Sequence, residues 1–192
     1  MEKNSIQHPC EMLIIGGSAG SLDVLLEVFP KFKKAISCSI VIVLHRKNTA
    51  DLTLTELLMA RTEIPVKEIE DKETIQKSTV YIAPPDYHIL IEKTKQFSLD
   101  YSEKVNYSRP SIDVTFESAA DIYGPSLTCV VLSGANNDGT EGARIVKSKG
   151  GIVIAQQPET AIVSFMPEFV INNVQPHYTL NPQQLIEYIN TI

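Results

Sequence analysis

The chain has 192 residues, 43% hydrophobic and 7% aromatic, with 17 Lys and Arg against 23 Asp and Glu for a formal net charge of −6. This length favours one domain able to bury about 70% of its unfolded surface, and the recurring apolar runs exclude disorder as the main state. The acidic balance argues against nucleic acid or an anionic membrane as partner, and no apolar run is long enough to cross a bilayer.

The basic clusters Lys31–Lys34 and Arg46–Lys47 are too short to alter that reading. The opening MEKNSIQHPCE lacks the apolar core of a signal peptide, which predicts a cytoplasmic location. Cys10, Cys38 and Cys129 have no CxxC spacing and are expected to be reduced structural thiols.

Taken in chain order, Met12–Gly16 is a short apolar strand, and Leu22–Phe29 follows with helical spacing until Pro30 stops it. Ile40–Leu44 is a β-branched run that predicts a strand buried on both faces. Helical periodicity returns over Ala50–Arg61, then short strands are expected at Val66–Ile69 and Val80–Ala83. His88–Ile91 and Phe97–Asp100 predict an antiparallel hairpin. Ser111 is suited to cap a helix over Ile112–Tyr123, which Gly124-Pro125 closes.

Leu127–Ser133 then predicts a strand, Thr140–Lys149 a helix and Ile152–Ala155 a strand. A helix near Pro167–Asn172 follows, and a last one starts from Asn181 with Pro182 in its first turn. Strands alternating with helices predict one doubly wound α/β domain, with a mostly parallel sheet, helices on both faces and one antiparallel hairpin.

In such sheets, function sits at the carboxyl ends of strands. The first strand ends in Gly16-Gly17-Ser18-Ala19-Gly20, a G-x-S-x-G turn that leaves the Ser18 hydroxyl projecting above the sheet. The next long strand ends at His45, a base able to take the serine proton if the two strands are neighbours. The strand after the long helix leads into Gly134-Ala135-Asn136-Asn137-Asp138-Gly139, which brings Asp138 to the same edge to hold the imidazole. Asp138-Gly139-Thr140-Glu141 also has the pattern of a capping box for the helix that follows. His88 reads as a structural core histidine, and His177 as a weaker candidate base in a poorly patterned segment.

Seven segments together resemble the catalytic domain of CheB, the chemotaxis-specific protein-glutamate methylesterase. They are IIGGSAG at Ile14–Gly20, VLH at Val43–His45, IAPPDYH at Ile82–His88, RPSID at Arg109–Asp113, LSGANNDGTEG at Leu132–Gly142, VIAQ at Val153–Gln156 and MP at Met166-Pro167. The resemblance implies a triad of Ser18, His45 and Asp138. The expected oxyanion hole is built from the backbone N–H groups of Ala19 and Ala135, and Arg109 is a candidate contact for a substrate carboxylate. It further implies an esterase for glutamate γ-methyl esters on the cytoplasmic helices of methyl-accepting chemotaxis receptors, with glutamine deamidation as a second activity. No cofactor or metal is expected.

Three departures accompany the resemblance. Ala19 stands where the family typically has Thr, and Ala135 where it commonly has Met. About 11 residues precede the first strand, where family members usually carry a receiver domain. The expectation is one catalytic domain over residues 1–192 with no receiver, and a separate receiver protein as a candidate regulatory partner. Two rival readings stand beside it: a non-catalytic signalling module of the same fold, and a phosphate- or nucleotide-binding domain using Gly16–Gly20 as an anion cradle. The second fits less well, because G-x-G-x-x-G is not satisfied.

Overall fold

A strand apolar at every position needs cover on both faces, and the chain supplies it with helices between parallel strands. The computed structural model describes residues 9–34, 36–45 and 54–192. In chain order they form β1 (Met12–Gly17), α1 (Ser21–Val28), β2 (Ser39–Leu44), α2 (Leu54–Met59), β3 (Val66–Glu68), β4 (Val80–Ile82), β5 (His88–Ile91) and β6 (Phe97–Asp100). The second half continues with α3 (Ile112–Tyr123), β7 (Leu127–Val131), α4 (Thr140–Ser148), β8 (Ile152–Gln156), α5 (Phe165–Val174), β9 (Tyr178–Leu180) and α6 (Pro182–Ile189).

The main sheet has seven strands in the order β3-β4-β2-β1-β7-β8-β9, and every neighbouring pair is parallel. β5 and β6 make the separate antiparallel hairpin that the sequence predicts. Alternation along β1 sends Leu13 and Ile15 into one core with Leu25, Leu58 and Ile189, on the face covered by α1, α2 and α6. Met12 and Ile14 enter the other core with Phe116, Val146 and Val170, under α3, α4 and α5. From β1 the chain builds β2, β4 and β3 on one side, then returns to add β7 on the other. The order therefore reverses between β1 and β7, the position where open α/β sheets form their clefts.

Most predicted elements appear within a residue or two, and the exceptions have local causes. α2 begins at Leu54, while the expected start of that helix at 50–53 and the Arg46–Lys47 pair lie outside the described residues. α5 is longer than expected, with Pro167 tolerated because it falls in the first turn. α6 carries a capping box between Asn181 and Gln184. β9 went unpredicted: this short edge strand is largely exposed, pairs with β8 in parallel, and has no apolar run to announce it. His177 belongs to that junction, where its Nδ1 accepts the Val153 N–H at 3.0 Å. The three cysteines are buried free thiols.

Candidate active site

The register of β1 and β2 pairs Gly17 with Leu44, so Ser18 and His45 are the next residues on adjacent strands. Parallel neighbours lie about 4.8 Å apart, and the His45 N–H donates to the Gly17 carbonyl at 3.1 Å. On the other flank the Ser18 N–H donates to the Ser133 carbonyl at 2.9 Å, tying β1 to the turn after β7. That approach leaves no room beside Gly134. A Cβ there would lie 1.8 Å from Met166 Sδ and 2.9 Å from Ser18 Cβ. The serine turn then closes through Gly20, whose φ of +82° suits glycine and whose missing Cβ would strike Ile162.

His45 Nε2 lies 2.7 Å from Asp138 Oδ2. Asp138 is 1% exposed, and among the described residues its carboxylate accepts five further hydrogen bonds. Oδ2 also accepts the Ile112 N–H at 2.7 Å. Oδ1 accepts from Ser111 Oγ at 2.9 Å, the Asp113 N–H at 3.0 Å, the Gly139 N–H at 3.1 Å and Asn106 Nδ2 at 3.3 Å. This corrects the capping-box expectation. α4 is preceded by Gly139 with no side-chain cap, and the Asp138 carboxylate serves the first N–H groups of α3 instead. Ser111 caps α3 as predicted, accepting from the Val114 N–H. Burial would push the Asp138 carboxyl up, but the His45 contact and the α3 amides outweigh it and hold it below the usual carboxylate range.

Asp113 is a second buried carboxylate that sequence reasoning did not single out. Its Oδ1 accepts the Gly142 N–H at 2.7 Å, and Asn106 Nδ2 bridges its Oδ2 at 2.8 Å to Asp138. Burial, with the Asp138 charge adding to it against the Gly142 bond, pushes the Asp113 carboxyl up to about 6. A carboxyl raised in the folded state favours folding while protonated, and that contribution is lost as pH climbs from about 4 to about 6. The Tm difference between Asp113→Asn and wild type is therefore expected to favour the variant more above about pH 7 than below about pH 4. Equal changes in melting curves at both pH values would refute this.

The remaining predicted residues divide by what they touch. Among the described residues, the half-buried Ser18 has no hydrogen-bond partner for its hydroxyl. The N–H groups of the exposed Ala19 and Ala135 likewise meet no acceptor there. Arg109 turns its Nη1 to the carbonyls of Ser102 at 2.7 Å and Tyr101 at 3.2 Å and stacks on the Tyr101 ring. It braces the loop that carries Asn106. His88 is structural as expected: it is buried, accepts the Ser111 N–H at Nδ1 and faces the Glu103 carbonyl with Nε2.

Asn136 also escaped the sequence reading, although its place two residues before Asp138 is an Asx-turn signal. Its Oδ1 accepts the Asp138 N–H at 3.1 Å and its Nδ2 lies 3.2 Å from His45 Nδ1. Among the described residues no cluster of three or more His, Cys, Asp or Glu is arranged to hold a metal ion. No described helix is long and apolar enough to cross a membrane.

Residues 13–189 match the family model described as CheB methylesterase. A Thermotoga maritima protein-glutamate methylesterase/protein-glutamine glutaminase is 37% identical over 186 residues, 93% of this chain and 54% of that protein. A Leptospira interrogans protein, to which the same two activities are provisionally assigned by name, is 40% identical over 177 residues, 92% of each chain. This chain thus spans nearly all of the Leptospira protein but about half of the Thermotoga one. The crystal structure of the Thermotoga maritima CheB methylesterase catalytic domain superposes with a TM-score of 0.90 at 35% identity, covering 96% of this chain and 99% of that one.

Proposed function

This chain belongs to the CheB methylesterase family, and on that premise we propose that it is a serine esterase for protein glutamate γ-methyl esters. Its substrates are the cytoplasmic helices of methyl-accepting chemotaxis receptors, which makes it a cytoplasmic enzyme. Glutamine deamidation is its second activity, with ammonia in place of methanol as the leaving group. The observation that carries the reading is the 2.7 Å contact between His45 and Asp138, made on the strand end next to Ser18.

Ser18 Oγ attacks the γ-carbonyl carbon as its proton passes to His45 Nδ1, the ring nitrogen that does not face Asp138. The oxyanion is held by the N–H groups of Ala19 and Ala135, which have no other acceptor among the described residues. Because both donors are backbone, the alanines keep the hole that a Thr or Met side chain would only flank. Collapse breaks the C–O bond, and His45 returns the proton to the departing methanol. Water then attacks the glutamyl ester of Ser18 with His45 as base, releasing the glutamate carboxylate and the free serine. Throughout, Asp138 accepts the Nε2–H and stabilises the imidazolium. The test is methanol release from methylated receptor cytoplasmic fragments, and its absence with well-folded protein would refute the proposal.

A protein substrate is supported by the apolar residues bordering the cleft. Tyr107, next to Asn106, is 98% exposed, and Ile162, packed at Gly20, is 66% exposed. Tyr107→Ala and Ile162→Ala are expected to raise KM for methylated receptor while leaving hydrolysis of a small acetate ester unchanged. Equal losses on both substrates would mean that these residues shape the site and not the docking of protein.

A further inference from the structure

We propose that Asn136 is a positioning residue that, with Asp138, keeps the proton of resting His45 on Nε2 and holds Nδ1 open as the base. The proposal deepens the esterase reading and rests on it for the role of Ser18. It begins from the orientation of one amide. Asn136 Oδ1 accepts the Asp138 N–H at 3.1 Å, which leaves Nδ2 as the atom 3.2 Å from His45 Nδ1. An amide nitrogen only donates, so Nδ1 must present its lone pair, and the ring proton must sit on Nε2. There it meets Asp138 Oδ2 at 2.7 Å.

The opposite arrangement fails at two contacts. Turning the amide over would set its NH₂ against the Asp138 N–H, two donors facing each other. Its oxygen would then face Nδ1 and call for a proton there. In a neutral ring that proton would leave the Nε2 lone pair against the Asp138 carboxylate. Asp138 is fixed by the α3 amides and cannot turn away to relieve this.

Two consequences follow for the reaction. The base is Nδ1, because Nε2 stays committed to Asp138. In the resting site the Asn136 amide occupies Nδ1, while the Ser18 hydroxyl has no partner among the described residues. Asn136 therefore holds the place that the seryl hydroxyl takes when substrate arrives. Both are exchangeable donors to the same lone pair, so the imidazole is kept unprotonated at Nδ1 and turned toward the site until then.

The test uses the whole chain with ¹⁵N-labelled histidine. In wild type, His45 is expected to show a protonated Nε2 and an unprotonated, hydrogen-bonded Nδ1. Asn136→Ala should move the Nδ1 signal to that of an unbonded nitrogen and lower kcat about 2–10-fold, the worth of one neutral hydrogen bond, with KM unchanged. Asn136→Asp keeps the acceptor for the Asp138 N–H, so the turn survives, but it sets an oxygen against Nδ1. That variant should take a proton on Nδ1 and lose more activity than the alanine variant near neutral pH. A proton on Nδ1 in wild type, or an Asn136→Asp protein with wild-type imidazole signals and kcat, would overturn the proposal. Ser18→Ala should keep the wild-type imidazole spectrum while turnover disappears. Retained turnover in Ser18→Ala would sink the esterase reading, and the His45 spectrum would still decide the role of Asn136.

Discussion

Ser18→Ala will abolish methanol release from methylated receptor, with a loss on the order of 10⁶-fold, the scale seen when the serine of a comparable protease triad is removed. The loss should be purely chemical. Among the described residues the Ser18 hydroxyl makes no hydrogen bond, so deleting it breaks nothing that holds the turn. The contacts that fix the turn belong to its neighbours. The Ser18 N–H bonds the Ser133 carbonyl, Ser21 Oγ bonds the carbonyls of Ser18 and Ser133, and Ser133 Oγ bonds the Ala19 carbonyl. None of these needs the Ser18 side-chain oxygen. Tm should therefore match wild type, and a fluorophosphonate probe that labels wild type should fail to label the variant. Methanol release at the wild-type rate from the alanine variant would remove Ser18 as nucleophile and end the triad.

Asp138→Asn is expected to lose on the order of 10⁴-fold in kcat, as in a protease triad whose aspartate becomes asparagine. Unlike the serine variant, it should also lose stability. The carboxylate is surrounded by donors on both oxygens: His45 and Ile112 on one, Ser111, Asp113, Gly139 and Asn106 on the other. Whichever way an amide is turned, its NH₂ faces donors, and a buried N–H left without a partner costs about 1–3 kcal/mol. The pH dependence separates the two effects. A carboxyl held low in the folded state adds stability above about pH 4 that is lost as pH falls further, so the wild type should pass through an acid transition that the variant lacks. Wild-type turnover in this variant would take Asp138 out of the mechanism. Unchanged melting curves across the acid range would take it out of the α3 cap.

Local chemistry was enough to read the strand ends. The β-branched run of β2, the small-residue turn Gly16–Gly20 and the glycines around Asp138 each declare their structure within a few residues, because strand pleat and tight turns are local demands. Parallel crossovers do the rest, bringing the ends of β1, β2 and β7 to one edge. Ser18, His45 and Asp138 were therefore visible as candidates before any coordinates. The edge strand β9 was not, because an exposed strand of three residues is held by backbone pairing that leaves no mark on side-chain pattern.

The wiring between the strand ends was decided only by the tertiary structure. Asp138 looked like the cap of its own helix, yet its carboxylate closes the N-terminus of α3, which lies earlier in the chain. Asn106 lies in no motif, and Asp113 closes the RPSID segment without a role that the segment declares; they matter because the loop braced by Arg109 and the first turn of α3 fold against Asp138. The state of His45 depends on which amide atom of Asn136 faces it, and that is settled by a hydrogen bond to the Asp138 N–H. Sequence alone specifies which donors and acceptors the chain owns. Which of them meet is a property of the packed sheet, since a buried carboxylate takes whatever N–H groups the fold brings within about 3 Å.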